Sequence, residues 1–389
     1  MPSDEVGLKI LTSPPIYDLL YDYCTPGMLQ RLARTCSSVY GETADYLRHT
    51  FSIRLTKQLA RFFGDNEGAL AFRQLQARLE FLICGSQALQ LMDRTTYENS
   101  DLDLYISRSH TKEVGEYLLA AGYTYIRLRE PCIGPASFED AIHRFEDLDS
   151  DDYPFSTRTG EFRTFTFRKR LNPSDTSVPL HEDSSALQVQ VVAARRRGHL
   201  FSVVLQFHST VVMNFIAWDR AVSMYPRATF ERREGLLNYD KKSFSDTPAI
   251  EKYESRGFRI RTEIESHDFT RSQDPMTTSP DDGTAFEGAI PFGPRFVGDG
   301  NCWTVKLDTT NLQVAPGVMR WSLEANSWSL SRSFGTRKKL TKFENLRSGS
   351  LKHVYSVTRE FHDFLKDLLI DKSDSDDDSE AWLPSDDAQ

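Results

Sequence analysis

Apolar and polar positions follow two different periods in the central part of the chain, which predicts strands interleaved with helices. The apolar run 81–84 ends at Gly85, as a buried strand bounded by a turn does. Residues 101–105 alternate acidic or aromatic with apolar side chains and predict a second strand. Alternation predicts further strands at 123–128, 161–170 and 186–193, and three-to-four spacing predicts helices at 69–79 and 111–121. We expect 161–170 to pair with 186–193 in an α+β fold with flanking helices.

The N-terminal part shows helical spacing only and predicts a small helical unit over 9–63. Pro14 and Pro15 precede the first amphipathic helix, because proline is tolerated at the first turn of a helix. Pro26 begins a second helix whose apolar positions continue to Tyr40. A third helix is predicted from Thr43 to Phe62.

The C-terminal half is less regular than the centre. The strongly apolar stretch 200–221 predicts a buried helix, and the amphipathic stretch 350–370 predicts a helix packed on the core. A stretch rich in Pro, Gly, Asp and Ser predicts a linker, and alternation after it predicts a small β-element. The predicted division is 9–63 helical unit, 66–230 α/β core, 231–265 helical or irregular extension, 266–301 loop or linker, 302–370 β-element plus helix, and 371–389 disordered acidic tail.

Length and composition place the chain among intracellular proteins. At 389 residues, with 39% hydrophobic and 26% charged residues, it is long enough for two or three domains. No apolar run approaches the roughly 20 residues that a membrane span needs, and the N-terminus lacks an apolar signal-peptide core. The five cysteines are scattered and form no Cys-x-x-Cys pair. We therefore expect reduced thiols in the cytoplasm or nucleus.

The net charge of −9 is unevenly distributed. Residues 371–389 hold eight acids and one lysine, a charge of −7, and leave −2 for the rest of the chain. A second acidic stretch, 139–152, predicts an exposed insertion. Basic patches occur at 163–170, 195–197 and 332–342, but patches this small usually form a solvated surface. Nucleic acid is therefore not an expected partner.

The residues that could bind a ligand lie in the two central strands and in the turn between them. Gly85 allows close approach of a ligand to the backbone, and the amides that open the following helix suit an anion. On a strand, Asp101 and Asp103 point to one face, roughly 6.6 Å apart. Carboxylate and phosphate oxygens are the ligands that Mg²⁺ prefers. The stretch therefore predicts a site for Mg²⁺ and a triphosphate.

Gly85-Ser86 followed by Asp101-Leu102-Asp103-Leu104 resembles the signature of the polymerase-β-type nucleotidyltransferase superfamily. The resemblance covers about 79–224. It implies a nucleotidyltransferase-like mixed sheet, with Gly85 and Ser86 holding the nucleotide phosphates. It also implies Asp101 and Asp103 as catalytic carboxylates and Mg²⁺ ligands. A surface Asp-Leu-Asp that caps a neighbouring turn is the alternative interpretation.

The family needs a third carboxylate on a later strand, and this chain lacks one at the expected place. The polar positions of the predicted strand 186–193 are Gln188 and Gln190. An amide oxygen can ligate a metal but brings no charge, so two Mg²⁺ ions would be poorly neutralised. Asp183, just before the strand, is a possible substitute. We expect nucleotide binding and doubt catalysis.

The helical unit 9–63 resembles an F-box. It has a leading proline, an apolar helix, a second helix that begins at proline, and the segment Leu-Ala-Arg-Thr-Cys at 32–36. The resemblance implies docking of the apolar face onto a Skp-type adaptor of a cullin ubiquitin ligase. A plain helical cap on the next domain is the alternative. The second hypothesis for function is therefore an adaptor protein that uses its central fold for target recognition.

Overall fold

The structure is a computed structural model. The residues that it describes are 2–127, 137–147, 162–172, 174, 177–194, 200–238, 247–261, 289–314, 323–330, 340–346, 348, 351 and 354–373.

Four helices form the N-terminal part: α1 Pro2–Thr12, α2 Pro14–Tyr23, α3 Pro26–Ala33 and α4 Ser37–Phe63. The Thr25 hydroxyl accepts from the Met28 amide (3.2 Å) and caps α3. The predicted second helix ends at Ala33 rather than Tyr40, and the Thr35 hydroxyl donates to the Leu32 carbonyl (2.7 Å) at this end. A small separate core joins α2, α3 and α4.

Seven further helices are described: α5 Asn66–Leu79, α6 Gly85–Asp93, α7 Thr111–Ala120, α8 Phe138–Asp147, α9 Leu200–Val204, α10 Thr247–Glu254 and α11 Arg359–Ser373. The described strands are β1 Leu82–Cys84, β2 Leu102–Ile106, β3 Thr124–Ile126, β4 Phe162–Lys169, β5 Leu187–Ala194, β6 Asn214–Ile216, β7 Arg220–Ser223, β8 Glu234–Leu236, β9 Arg259–Arg261, β10 Gly293–Phe296, β11 Trp303–Lys306, β12 Ser327–Leu330, β13 Thr341–Lys342, β14 Glu344–Leu346 and β15 Tyr355–Val357.

A mixed eight-stranded sheet follows the N-terminal helices and confirms the α+β class. Its order is β11-β7-β6-β1-β2-β5-β4-β3. Within this sheet only the β2–β5 pair is parallel, and the predicted pairing of β4 with β5 is confirmed. The edge strand β11 pairs with β7, although the sequence groups this strand with the C-terminal β-element. Smaller sheets contain β10-β12-β13, β14-β15 and β8-β9.

Two apolar cores lie on opposite faces of the sheet. Successive side chains of a strand point to opposite faces, and β1 shows this directly. Ile83 belongs to one core, which also contains Leu102 and Leu104. Leu82 and Cys84 belong to the other. Since Leu102 and Leu104 face the first core, Asp101 and Asp103 face the side of the second.

The predicted buried helix over 200–221 is wrong. Only α9 is α-helical there, and a 3-10 turn, β6 and β7 complete the stretch. Most of its residues are buried and none is exposed. A segment that is apolar on all sides carries no periodicity, so a buried strand and a buried helix look alike in the sequence.

The acidic stretch 139–152 is also not simply an exposed insertion. Residues 138–147 form α8, whose buried side chains are Phe138, Ala141, Ile142 and Phe145. The spacing of these four residues is that of an amphipathic helix. The many acidic residues of the stretch hid this spacing from the sequence prediction. The remaining residues, 148–152, lie outside the described part of the chain.

Two C-terminal predictions need correction. Within the predicted linker, 293–296 form β10, which pairs with β12 from Gly293↔Leu330 to Phe296↔Ser327. Within the predicted helix 350–370, residues 355–357 form β15, and α11 begins only at Arg359. Three of its large apolar side chains are exposed: Phe361, Phe364 and Leu368. Residues 374–389 of the predicted tail lie outside the described part.

None of the helices among the described residues combines the length and the apolar character that crossing a membrane requires.

Candidate functional site

The site begins where β1 passes directly into α6. Gly85 is the first residue of α6 and has φ +65°, a left-handed conformation that favours glycine. A Cβ atom at Gly85 would lie 2.2 Å from Oδ2 of Asp103. Glycine is therefore required here for two reasons, the backbone conformation and the close approach of the Asp103 carboxylate.

Strand pairing brings Asp103 beside residues that are distant in the sequence. Cys84 is opposite Asp103 in the antiparallel β1–β2 pair. Gln190 is opposite Asp103 in the parallel β2–β5 pair. Because paired residues share a face of the sheet, Gln190 and Gln188 lie on the same face as the two aspartates. The structure thus brings together Gly85, Asp103 and the amide that occupies the expected third-carboxylate position.

Asp101 lies just before β2 and is held by a relay of side chains. The Gln188 amide nitrogen donates to Oδ2 of Asp101 (3.0 Å). The Gln188 oxygen in turn accepts from Nε of Arg168 (2.7 Å). Since Arg168 fixes which end of the amide faces Asp101, Gln188 acts as a donor that orients the carboxylate. Its oxygen therefore faces Arg168 rather than Asp101.

Both aspartates are half-buried, and the pKa of each carboxyl is raised. Burial, together with the neighbouring Asp101 charge, raises the pKa of Asp103 to about 7, and the Lys252 ammonium opposes this shift. Burial also raises the pKa of Asp101, which Lys252 and the Gln188 hydrogen bond oppose. Neither carboxylate forms an ion pair with the described residues. The two negative charges are therefore only partly compensated.

The N-terminus of α6 is covered by the end of α10 and the turn that follows it. Ser86 is 3% exposed, and its hydroxyl accepts from Nη1 of Arg256 (3.1 Å) and lies 3.5 Å from the Tyr253 hydroxyl. The Arg256 guanidinium stacks on the Tyr97 ring at 4.1 Å from its centroid. The sequence predicts Ser86 as a phosphate ligand, but its hydroxyl is already engaged. Arg256 and the backbone amides are the groups at this end of α6 that suit an anion.

His208 packs on the same covering helix. Its ring lies 5.5 Å from the Tyr253 ring. Burial and the Lys252 charge lower the pKa of His208 to about 4, so the ring is neutral at pH 7. It therefore adds no positive charge to the site.

Lys252, Tyr253 and Arg256 were missed by reasoning from sequence. They lie about 150 residues after the aspartates, and no motif marks them. One signal was available, because Lys252 and Arg256 are four residues apart and would share a helix face. That spacing is common on exposed helices, so it did not single them out.

The donor set suits one Mg²⁺ ion rather than two. No group of three or more His, Cys, Asp or Glu side chains suitable for a metal occurs among the described residues. Oδ1 of Asp183, the possible substitute for a third carboxylate, accepts from the Ser185 amide (2.9 Å) and hydroxyl (2.6 Å). Mg²⁺ commonly binds one or two carboxylates and completes its shell with water and phosphate oxygens. Asp101 and Asp103 meet that requirement.

Comparison of the chain with family models, with curated proteins and with solved structures finds no match.

Proposed function

We propose that this protein binds one Mg²⁺ ion and a nucleoside triphosphate at the Gly85–Ser86 turn and the Asp101/Asp103 pair, without transferring the nucleotidyl group. The observation that carries this proposal is the packing of the Asp103 carboxylate against Gly85. It puts a carboxylate beside the amides that open α6. Amides at a helix N-terminus suit phosphate and carboxylates suit Mg²⁺, so both requirements of a metal triphosphate meet at one point.

The surroundings of the aspartates support the same proposal. The raised pKa values of the two half-buried carboxyls show that their negative charges are poorly compensated. A cation bound between these carboxylates and the phosphates would compensate them. When bound, Mg²⁺ would neutralise these carboxylates and the phosphate oxygens. Lys252 and Arg256 would add positive charge toward the phosphates from the α10 side. The resemblance to the polymerase-β-type nucleotidyltransferases, and a mixed sheet with flanking helices, agree with this assignment.

Gln190 counts against catalysis. It is a neutral amide paired with Asp103, on the strand where the resemblance implies a third carboxylate. Two-metal transfer needs enough anionic ligands for ions about 3.5–4 Å apart. Two carboxylates provide enough negative charge to neutralise one Mg²⁺ ion. Nucleotidyl transfer would require a further anionic ligand for a second ion.

Calorimetric titration of each nucleoside triphosphate with Mg²⁺ tests the proposal. The wild type should bind, and the Asp101→Asn, Asp103→Asn double variant should show no metal-dependent binding. An Asp45→Asn, Asp363→Asn variant removes two exposed carboxylates elsewhere and should bind like the wild type. Equal affinity in the wild type and the site variant would refute the proposal.

The pH dependence provides a second readout of the same titration. A carboxyl must lose its proton to bind a metal. Because the pKa of Asp103 is about 7, we expect Mg²⁺-dependent binding to be weaker at pH 6 than at pH 8. The loss of one proton predicts about a tenfold change in affinity per pH unit below that pKa. Affinity that is the same at both pH values would contradict a role for Asp103 in binding the metal.

A second candidate function is that of an F-box-type adaptor in a cullin ubiquitin ligase. The observation in its favour is the apolar surface that the N-terminal helices leave exposed. Leu19 is 68% exposed and Tyr23 is 89% exposed, and Ile16, Leu20 and Met28 are exposed as well. An F-box uses such a surface to dock onto a Skp-type adaptor. The two functions are compatible, because the central fold could recognise the target of the ligase.

A further inference from the structure

A cavity that is separate from the aspartate site lies between α4 and α6. It has a volume of about 200 Å³. α4 contributes Arg54, Lys57, Gln58 and Arg61, and α6 contributes residues that include Gln87. None of Gly85, Ser86, Asp101 or Asp103 lines this cavity.

The charge of this cavity is uncompensated. Arg54, Lys57 and Arg61 follow the i, i+3, i+7 spacing, which places the three cations on one face of α4. Like charges at this spacing destabilise a helix. No acidic residue lines the cavity, and none of these three cations has an ion-pair partner among the described residues. Arg54 donates only to the Arg94 carbonyl (3.3 Å). The wall therefore favours an anion with more than one negative charge.

Polar residues among the rest of the lining offer hydrogen-bond acceptors. The Gln58 side-chain oxygen is buried and has no hydrogen-bond partner. Gln87 donates its amide N–H to the Ser100 carbonyl (3.1 Å), which leaves the amide oxygen as an acceptor. Leu91 is the one apolar side chain among the lining residues. A buried acceptor without a donor costs free energy, so a ligand with hydroxyl groups would complete this wall.

We infer that the cavity between α4 and α6 binds a small phosphorylated polyol. Lys57, Arg61 and Arg54 provide charge-assisted hydrogen bonds for the phosphate. Gln58 and Gln87 accept hydrogen bonds from hydroxyl groups on the carbon skeleton. This site needs no metal and is independent of the proposed nucleotide site.

Calorimetric titration of the full chain with glycerol 3-phosphate, inorganic phosphate and glycerol tests the inference. Glycerol 3-phosphate should bind more tightly than phosphate, and glycerol should not bind. In the Lys57→Gln, Arg61→Gln variant the dissociation constant for glycerol 3-phosphate should rise about tenfold or more. Lys57 and Arg61 are exposed, so the variant should keep the thermal unfolding midpoint of the wild type.

Two controls separate this site from general charge effects and from the nucleotide site. Lys306→Gln removes an exposed cation elsewhere, and Asp101→Asn, Asp103→Asn removes the proposed metal ligands. Both variants should bind glycerol 3-phosphate like the wild type. No saturable binding by the wild type, or unchanged binding by the Lys57/Arg61 variant, would overturn the inference. Equal affinity for phosphate and glycerol 3-phosphate would overturn the assignment of a polyol.

Discussion

Two constraints favour glycine at position 85, and a comparison with Gly64 separates their effects. Its backbone has φ +65°, and a Cβ atom there would meet the Asp103 carboxylate. Gly64 shares only the first constraint, because its φ is +96° and no atom lies within 4 Å of a Cβ built there. A comparison of these two glycines therefore isolates the effect of the carboxylate contact.

We expect Gly85→Ala to lower both stability and nucleotide affinity. The positive φ costs about 1 to 2 kcal/mol for a residue with a side chain. The added methyl group also displaces the Asp103 carboxylate, so binding of Mg²⁺ and triphosphate should be lost. Chemical denaturation and calorimetric titration measure the two effects.

Gly64→Ala is the matched control for this prediction. It should lower the free energy of unfolding by a similar amount, because alanine also adopts a positive φ unfavourably at this position. It should leave nucleotide affinity unchanged. If both alanine variants bind the nucleotide like the wild type, the contact between residue 85 and Asp103 is not part of the site.

At the scale of elements, the proposed metal binding depends on the side chains that β5 places beside β2. Gln190 is neutral and lies opposite Asp103. We expect Gln190→Glu, which keeps the side-chain length, to raise Mg²⁺ affinity at pH 8 by about tenfold, because affinity in such sites follows the number of charged ligands. Magnesium titration followed by calorimetry measures the change.

The exposed Gln30→Glu substitution on α3 adds the same charge far from β5 and should leave Mg²⁺ affinity unchanged. A Gln190→Glu variant with wild-type Mg²⁺ affinity would show that this position does not contact the ion.

The elements nearest the candidate site were predictable because their signals are local. A glycine after an apolar run marks the start of α6, and alternation marks β2, β4 and β5. The helix α10 and the turn after it were not predictable as part of the site, since Tyr253 and Arg256 reach Ser86 only through tertiary packing. β6 and β7 were hidden for a different reason, because burial on both faces removes the alternation on which a strand prediction depends.

At the scale of the whole molecule, the N-terminal helices present an apolar surface that the rest of the described chain does not cover. We expect Leu19→Asp to weaken binding of a purified Skp-type adaptor by about thirtyfold or more, the effect of a central interface residue. Leu19 is 68% exposed, so the free energy of unfolding should change by only about 0.5 kcal/mol. Calorimetry with the purified adaptor measures the first effect and denaturation the second.

Leu171→Asp provides the control, because Leu171 is 61% exposed on the loop after β4. It should bind the adaptor like the wild type. Lack of adaptor binding by the wild type would eliminate the F-box interpretation. Leu32 is less suitable for this test, since it packs against the small core of the N-terminal helices.

The pairing of β11 with β7 also has a consequence for synthesis of the chain. β7 ends at Ser223, and its partner begins at Trp303. While the ribosome adds the residues between them, β7 has an unpaired edge. Open edges of this kind pair readily with strands of other molecules and promote aggregation. The yield of folded protein therefore depends on how well the nascent chain is protected until Trp303–Lys306 has emerged.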